Sequence, residues 1–437
     1  MKKFLFAFAI VSSLYAQPSP ELMGLRVYAN NDEYQLPILA RGSSLTIEFD
    51  VAGTLAPNLQ VIFKHASQEW IVDDNQFVNE PIFDRSQILT YTDSPNGVRH
   101  YNFSYKNSFP NSRDVVQFKY SGNYLFFIVE HSVENKILSE GRFILVDNIV
   151  PCALTITNTY YSEAVPPFNQ MHYAAVDVDA DVQPEGDGKF RHENVKRVAI
   201  FQNWKLYNPY IIDVEKRNPD TFVEDFIQPK KKFWIRNIAP TNEYRRLDIS
   251  KVSLYPNGQI VRFIDGADQS RIYWQGKPDA NGAAKLRPFT GANSDYLEVL
   301  FRLRLAHNPS QNIFLVGAFN SWKPSAEYMM ELDTTENTYW LQKWIRRGVF
   351  DYQYVVGTVK ENGEIENQDW TTLEGNDWRT INRYTAVVYY HDYRFGGFDR
   401  AVGIATVKNP GGTEEGKSNA SESVVKTQPV SKHNSKQ

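Results

Sequence analysis

A chain of 437 residues is long enough for about three domains of roughly 100–150 residues each. With 47 Lys and Arg against 51 Asp and Glu, it is close to neutral and offers no clustered basic surface of the kind nucleic acid requires. Its one cysteine, Cys152, excludes an intramolecular disulfide, so stability has to come from packed cores.

The N-terminus reads as an address. Lys2 and Lys3 precede the apolar run Phe4 to Val11, and Ala16-Gln17 offers a cleavage point, so residues 1–16 are expected to be a secretory signal. The run is too short to span a bilayer, and no later stretch is long and apolar enough to do so. No cysteine lies near the cut, which argues against a lipoprotein. The expectation is a soluble protein beyond the inner membrane.

The first unit is expected over 17–150. LTIEFDV (45–51) alternates strictly, with Leu45, Ile47, Phe49 and Val51 on one face, which is the pattern of a half-buried strand. A looser Asp- and Asn-rich loop, Asp73 to Pro95, precedes HYNFSY (100–105), a turn at Pro110-Asn111, SGNYLFFIV (121–129) and a last strand from Gly141 to Val146. Strands separated by turn signals at this spacing argue for a β-sandwich.

The second unit is expected over 151–289. Cys152 opens it beside Pro151 and reads as a small buried residue. In HYAAVDVDADV (172–182), Asp177, Asp179 and Asp181 share one strand face. A calcium loop would need Gly directly after the third acidic position, where Val182 stands, so the trio reads as a polar outer face. The basic run Lys230-Lys231-Lys232 reads as a solvated turn. VKRVAIFQNWKLYNPYII (195–212) and NEYRRLDIS (242–250) follow as strand segments, and Gly276 to Asn293 reads as a linker.

The third unit is expected over 290–407. YLEVLFRLRLA (296–306) alternates cleanly, and IFLVGAFNSW (313–322), FDYQYVV (350–356) and LEGNDWRTINRYTAVVYYHDYRFGGFDRAVGI (373–404) continue the strand-and-turn pattern. Beyond it, residues 408–437 carry no aromatic residue and too little apolar surface to offset ordering entropy, so a disordered tail is expected. No helix-period pattern of useful length interrupts the strands. The fold class is therefore all-β: tandem immunoglobulin-like, early-set β-sandwich domains.

The sequence holds no His-Glu-x-x-His helix, no Gly-x-Ser-x-Gly elbow, no phosphate-binding loop and no dinucleotide fingerprint. No catalytic residue, metal site or cofactor is expected.

Two resemblances rest on these motifs. IFLVGAFNSW is similar to the strand and aromatic turn of early-set domains that bind starch or glycogen. There, two Trp residues and a Lys form a flat platform. The resemblance puts Trp322 and Trp370 at the Trp positions and Gln353 at the Lys position, and implies a glycan-binding protein. The longer likeness runs in order along nearly the whole chain: His65 and Trp70, His100-Tyr101, Phe109-Pro110-Asn111, Ser121 to Leu125, segments 195–212 and 242–250, and the three C-terminal motifs. It resembles the plug protein family of the bacterial type IX secretion system, with Ala66 where many members have Cys. That resemblance implies a periplasmic, non-catalytic stopper that binds the large outer-membrane β-barrel translocon and seals its periplasmic opening. Candidate contacts are Tyr389, Tyr390, Tyr393, Arg394 and Phe395, with Trp322 and the Asp73–Pro95 loop as others.

Overall fold

The computed structural model describes residues 20–131, 136–158, 171–182, 190–227, 229–263, 265–277, 279–286 and 291–409. The expected signal (1–16) and the tail beyond 409 lie outside the described residues. What is described is almost entirely strand and turn, so the all-β sandwich class holds.

The first unit contains β1 (Glu21–Ala29), β2 (Ile38–Ala40), β3 (Leu45–Ala52), β4 (Leu59–Ala66), β5 (Tyr91–Asp93), β6 (Phe103–Phe109), β7 (Gly122–Glu130) and β8 (Lys136–Val146). One sheet has the order β1-β3-β6-β5; β4, β7 and β8 face it, with β2 added parallel to β8. Leu45, Ile47, Phe49 and Val51 point into the shared core against Leu59, Val61, Phe63, Phe126 and Phe143, as the alternation requires. The polar face of β3 is not solvated. Asp50 is buried because the third unit lies over it: Tyr296 Oη donates to Asp50 at 2.8 Å and the Arg346 guanidinium lies 3.0 Å away; Thr46, also buried, shares a hydrogen bond with Ser108 at 3.0 Å.

The middle of the chain supplies β9 (Cys152–Asn158), β10 (His172–Asp179), β11 (Val195–Gln202), β12 (Tyr210–Asp213), β13 (Thr221–Ile227) and β14 (Lys230–Ile238). Here the expected solvated turn at Lys230–Lys232 is corrected. The three lysines open β14, and its register sets Lys232 against Asp177 and Lys230 against Asp179. The basic and acidic runs are cross-strand partners, at 3.2 Å for Lys232–Asp177. Lys231, on the opposite face, is buried and donates to the Val195 carbonyl at 3.2 Å. Cys152 edges the core, and burial pushes its thiol up to about 12.

The third unit has β15 (Arg245–Asp248), β16 (Val261–Arg262), β17 (Asp268–Gln269), β18 (Ala284–Leu286), β19 (Tyr296–Arg304), β20 (Asn312–Gly317), β21 (Glu331–Asp333), β22 (Thr338–Arg346), β23 (Gly348–Val359) and β24 (Ile365–Asp369). Two sheets, β15-β23-β18 with β20 and β24, and β16-β19-β22-β21 with β17, enclose Leu297, Val299, Phe301, Leu303, Leu315, Tyr352 and Tyr354. The segment read as a linker contributes β18, which pairs antiparallel with β23 at Ala284↔Phe350, with Ala283 and Ala284 buried. Arg245 and Asp248, expected in the middle unit, sit on β15 against β23.

The largest departure concerns the chain's end. β25 (Arg383–Asp392) and β26 (Phe398–Lys408), expected with residues 290–407, join neither sheet of the third unit. β25 pairs with β11 from Val195↔Tyr390 to Gln202↔Tyr384, and β26 bridges to β8 at Ala401↔Val146. One sheet, β12-β11-β25-β26-β8-β7-β4, thus runs through the middle and first units. Tyr384, Ala386, Val388 and Val402 share a core with Val176, Val198 and Phe233. The reason is that both faces of this hairpin are apolar: Val387, Tyr389 and Ala401 bury the other face against Ile144, Phe201 and Leu206.

A chain ending at Ile381 leaves the β11 edge and half of the middle core open. We expect it to lose cooperative unfolding of the middle unit, read by calorimetry. Ile200→Ala, in the same core, is expected to cost about 2–5 kcal/mol in denaturant unfolding.

Candidate partner interface

The turn of the last hairpin meets the Asp- and Asn-rich loop of the first unit. That loop leaves β4 at His65, whose Nε2 lies 3.0 Å from the Ser121 carbonyl and whose Nδ1 contacts the Asp73 carboxylate. Asn79 clamps the loop: its Oδ1 accepts the His65 N–H at 2.6 Å, and its Nδ2 donates to the Asp73 carbonyl at 2.7 Å. Gly122, at φ +140°, is required here. A Cβ would stand 2.3 Å from His65 Nε2 and 2.6 Å from the Asp399 carbonyl. Asn123 completes the staple, donating to the Ser67 carbonyl at 3.0 Å and accepting from Tyr389 Oη at 2.8 Å. The Ser121-Gly122-Asn123 motif is thus the joint between the first-unit loop and the hairpin.

On the hairpin side, Asp392 accepts from the Arg394 backbone N–H at 3.0 Å and from its guanidinium at 2.6 Å, and from Arg400 at 3.3 Å. Arg400 reaches on to Asp147 at 2.6 Å. Phe395 (φ +54°), Gly396 and Gly397 all have left-handed backbones, which turns the Phe395 ring outward. It stacks on Phe77 at 5.6 Å, and Asn75 Nδ2 donates to the Phe395 carbonyl. Phe77 and Tyr393 are 64% and 63% exposed and Phe395 is 48% exposed; the loop also exposes Ile82, and Ile71 just before it is exposed too. The stacked pair Phe77 and Phe395, exposed on a hydrogen-bonded frame, is what a protein partner can bury, and Tyr393, whose ring packs on His391 at 4.7 Å, is exposed on the same turn.

Of the residues singled out in the sequence, Tyr393, Arg394, Phe395 and the Asp73–Pro95 loop come together here. Tyr389 and Tyr390 do not offer contacts. Tyr389 bonds Asn123 inside, and Tyr390 is buried with its ring stacked on Phe190 at 4.5 Å. They are the inward residues of a strand buried on both faces. Phe77 and Asn75 were not singled out. Phe77 is one of several apolar residues in that loop, with Phe83, Ile82 and Tyr91, and nothing local set it apart.

The glycan platform also needs correction. Trp322 is 0% exposed, its Nε1–H donates to the Gly282 carbonyl at 2.7 Å, and its ring lies 4.3 Å from Tyr244. Trp370 is buried beside it under the Lys205 ammonium at 4.5 Å, and Gln353 is buried too. These two rings plug the seam between the middle and third units. Among the described residues, no group of His, Cys, Asp and Glu is placed to hold a metal ion, and no helix is long and apolar enough to cross a membrane.

Trp322→Ala is expected to destabilise the chain by about 3–5 kcal/mol in denaturant unfolding, as loss of a core residue does. The hairpin frame should also be acid-sensitive. Burial raises the Asp147 carboxyl, but the Arg400 hydrogen bond and the Arg41 charge outweigh it and hold it below the usual range; at Asp392 the Arg394 hydrogen bond likewise outweighs burial. A depressed carboxylate contributes stability above its unfolded value of about 3.8 and loses it as pH falls further. Unfolding midpoints should therefore drop as pH falls below about 4, less steeply in Arg400→Met.

No curated protein matches the chain. A solved crystal structure of a hypothetical protein from Parabacteroides merdae is similar, at 18% identity and a TM-score of 0.71, covering 89% of this chain and 97% of that one. It shares the fold. Residues 23–147 match the family described as type 9 secretion system plug protein 1st domain. On this match the first unit belongs to the type 9 secretion system plug protein family, in support of the resemblance read along the rest of the sequence.

Proposed function

We propose that the chain is a periplasmic plug that docks on the periplasmic mouth of the outer-membrane β-barrel translocon of type IX secretion and holds it closed. The observation that carries this reading is the plug-protein match of residues 23–147. The exposed loop of that domain, joined to the hairpin turn, supports it by presenting Phe77, Tyr393 and Phe395 as a ready patch. A barrel wide enough to pass folded cargo has an aqueous lumen that leaks when idle. A stopper for it works by surface complementarity and needs no catalytic residue or cofactor. The geometry suits that task, because the patch is built from two segments far apart in the chain and tied by Asn123, Asn75 and Asp399 rather than left on one free loop. Such a frame lowers the entropy cost of docking.

The test is a pull-down from detergent-solubilised outer membrane with the full chain tagged at its C-terminus. Recovery of a very large barrel protein is the expected result; recovery of the bait alone in mild, low-salt buffer overturns the reading. The Phe77→Ala/Phe395→Ala double variant is expected to lose at least about tenfold in capture. Its unfolding midpoint should stay near that of the parent chain, since both rings are exposed.

A further inference from the structure

His65, near the end of β4, is fully buried, and its surroundings fix the ring. Tyr124 of β7 lies 5.1 Å away and Phe398 of β26 lies 5.8 Å away, both edge-on. Gly122 closes a third side, where a Cβ would stand 2.3 Å from Nε2. Held this way, both ring nitrogens meet oxygen. Nε2 lies 3.0 Å from the Ser121 carbonyl, and Nδ1 contacts a carboxylate oxygen of Asp73.

A backbone carbonyl only accepts hydrogen bonds, and so does an ionised carboxylate. Either neutral tautomer of His65 therefore points one nitrogen lone pair at an oxygen lone pair. The contacts require a second proton on the His65–Asp73 pair, and imidazole, the stronger base, carries it on Nδ1. We propose that His65 and Asp73 form a proton latch: the imidazolium holds Asp73, and loss of its proton loosens residues 73–79 from β4. Asn79 remains as an anchor, since its bonds to the His65 backbone need no extra proton. The loosened segment carries Asn75 and Phe77, which meet Phe395. The latch thus controls whether the aromatic patch is assembled, and its bearing on docking rests on the plug reading above.

The other charged and titratable groups near the ring have partners of their own. On β4, Lys64 pairs with Asp84. Before β7, Ser121 Oγ donates to Asp147 at 2.6 Å, and Asp147 pairs with Arg41 and Arg400. Tyr124 Oη donates to the Tyr120 carbonyl at 2.7 Å. On β26, Asp399 accepts the Gln68 N–H at 2.9 Å and pairs with His391 of β25 at 2.8 Å. In the loop, Glu80 pairs with Lys119 at 2.5 Å, and Asp74 is exposed. An imidazolium pair contributes in full while the ring is protonated and fades as pH rises and that proton leaves; in acid it weakens again once the carboxylate is protonated. The latch is closed between those two titrations.

The test is hydrogen exchange of the full chain at residues 73–79, corrected for the intrinsic effect of pH on exchange, with 15N-histidine spectra reading the His65 ring. Protection is expected to fall at least about tenfold between about pH 6 and pH 8.5, as Nδ1 loses its proton. Asp73→Asn should abolish this dependence, because its amide can donate to a neutral Nδ1. His391→Gln, which removes the neighbouring pair with Asp399, should retain it. Constant protection in the parent chain overturns the proposal, as does an equal fall in Asp73→Asn or loss of the fall in His391→Gln. Where Asp73→Asn does not fold, the parent spectra decide: two ring protons on His65 at pH 6 support the latch and a single one refutes it. Exchange needs no translocon, so it judges the latch alone. Barrel capture that ignores pH while exchange responds refutes the link to docking, and capture at neither pH refutes the plug reading instead.

Discussion

The pairing of β25 with β11 is the contact on which the rest of the molecule depends. It brings the last strands of the chain back across the whole third unit to complete a sandwich begun some 200 residues earlier. Closing so long a loop costs little more entropy than closing a short one, because the cost grows only with the logarithm of its length. Burying both faces of a strand pair recovers far more, as Val388 and Val402 fill one core while Val387 and Ala401 fill another. Through the Ala401↔Val146 bridge the same hairpin extends into the first unit. The three units are thus not beads on a string: the third is an insertion between strands of the middle one.

That arrangement explains why so many polar residues are buried at the seams. Asp50, Tyr296 and Arg346 between the first and third units, and Lys205, Glu243 and Asp279 between the middle and third, are groups that would be solvated in isolated domains. Each is tolerated because hydrogen bonds or aromatic faces replace water. The exposed aromatic patch depends on the rigid joint of His65, Gly122 and Asn123, where the absence of one Cβ lets a histidine ring lie against the backbone of β7.

Much of this was legible from residues alone. Alternation in LTIEFDV and YLEVLFRLRLA specified strands and the faces they bury, because side chains on a strand project to opposite sides with period two. The turn residues marked most boundaries, and the absence of catalytic motifs turned attention to surfaces. The patch was half legible. Tyr393, Arg394 and Phe395 were apparent as an aromatic turn between Gly and Asp residues, whereas Phe77 had no periodic context to mark it. Trp322 misled, since the same Gly-aromatic-Asn-x-Trp turn serves an exposed platform or a buried plug according to what lies above it. Here Tyr244 and Gly282 lie above it.

By itself, then, the sequence determined the strands, their inward faces, the all-β class and the resemblance carried by its motifs, all of which follow from local periodicity and short-range turn chemistry. Only the tertiary structure decided which strands became neighbours: that Lys230 and Lys232 answer Asp179 and Asp177, that Tyr390 faces inward, that Phe395 finds Phe77, and that the final hairpin belongs beside β11. Strand pairing is non-local, and any strand with a free edge offers the same backbone donors and acceptors. The choice among them falls to side-chain packing across the sheet, which no single stretch of the chain contains.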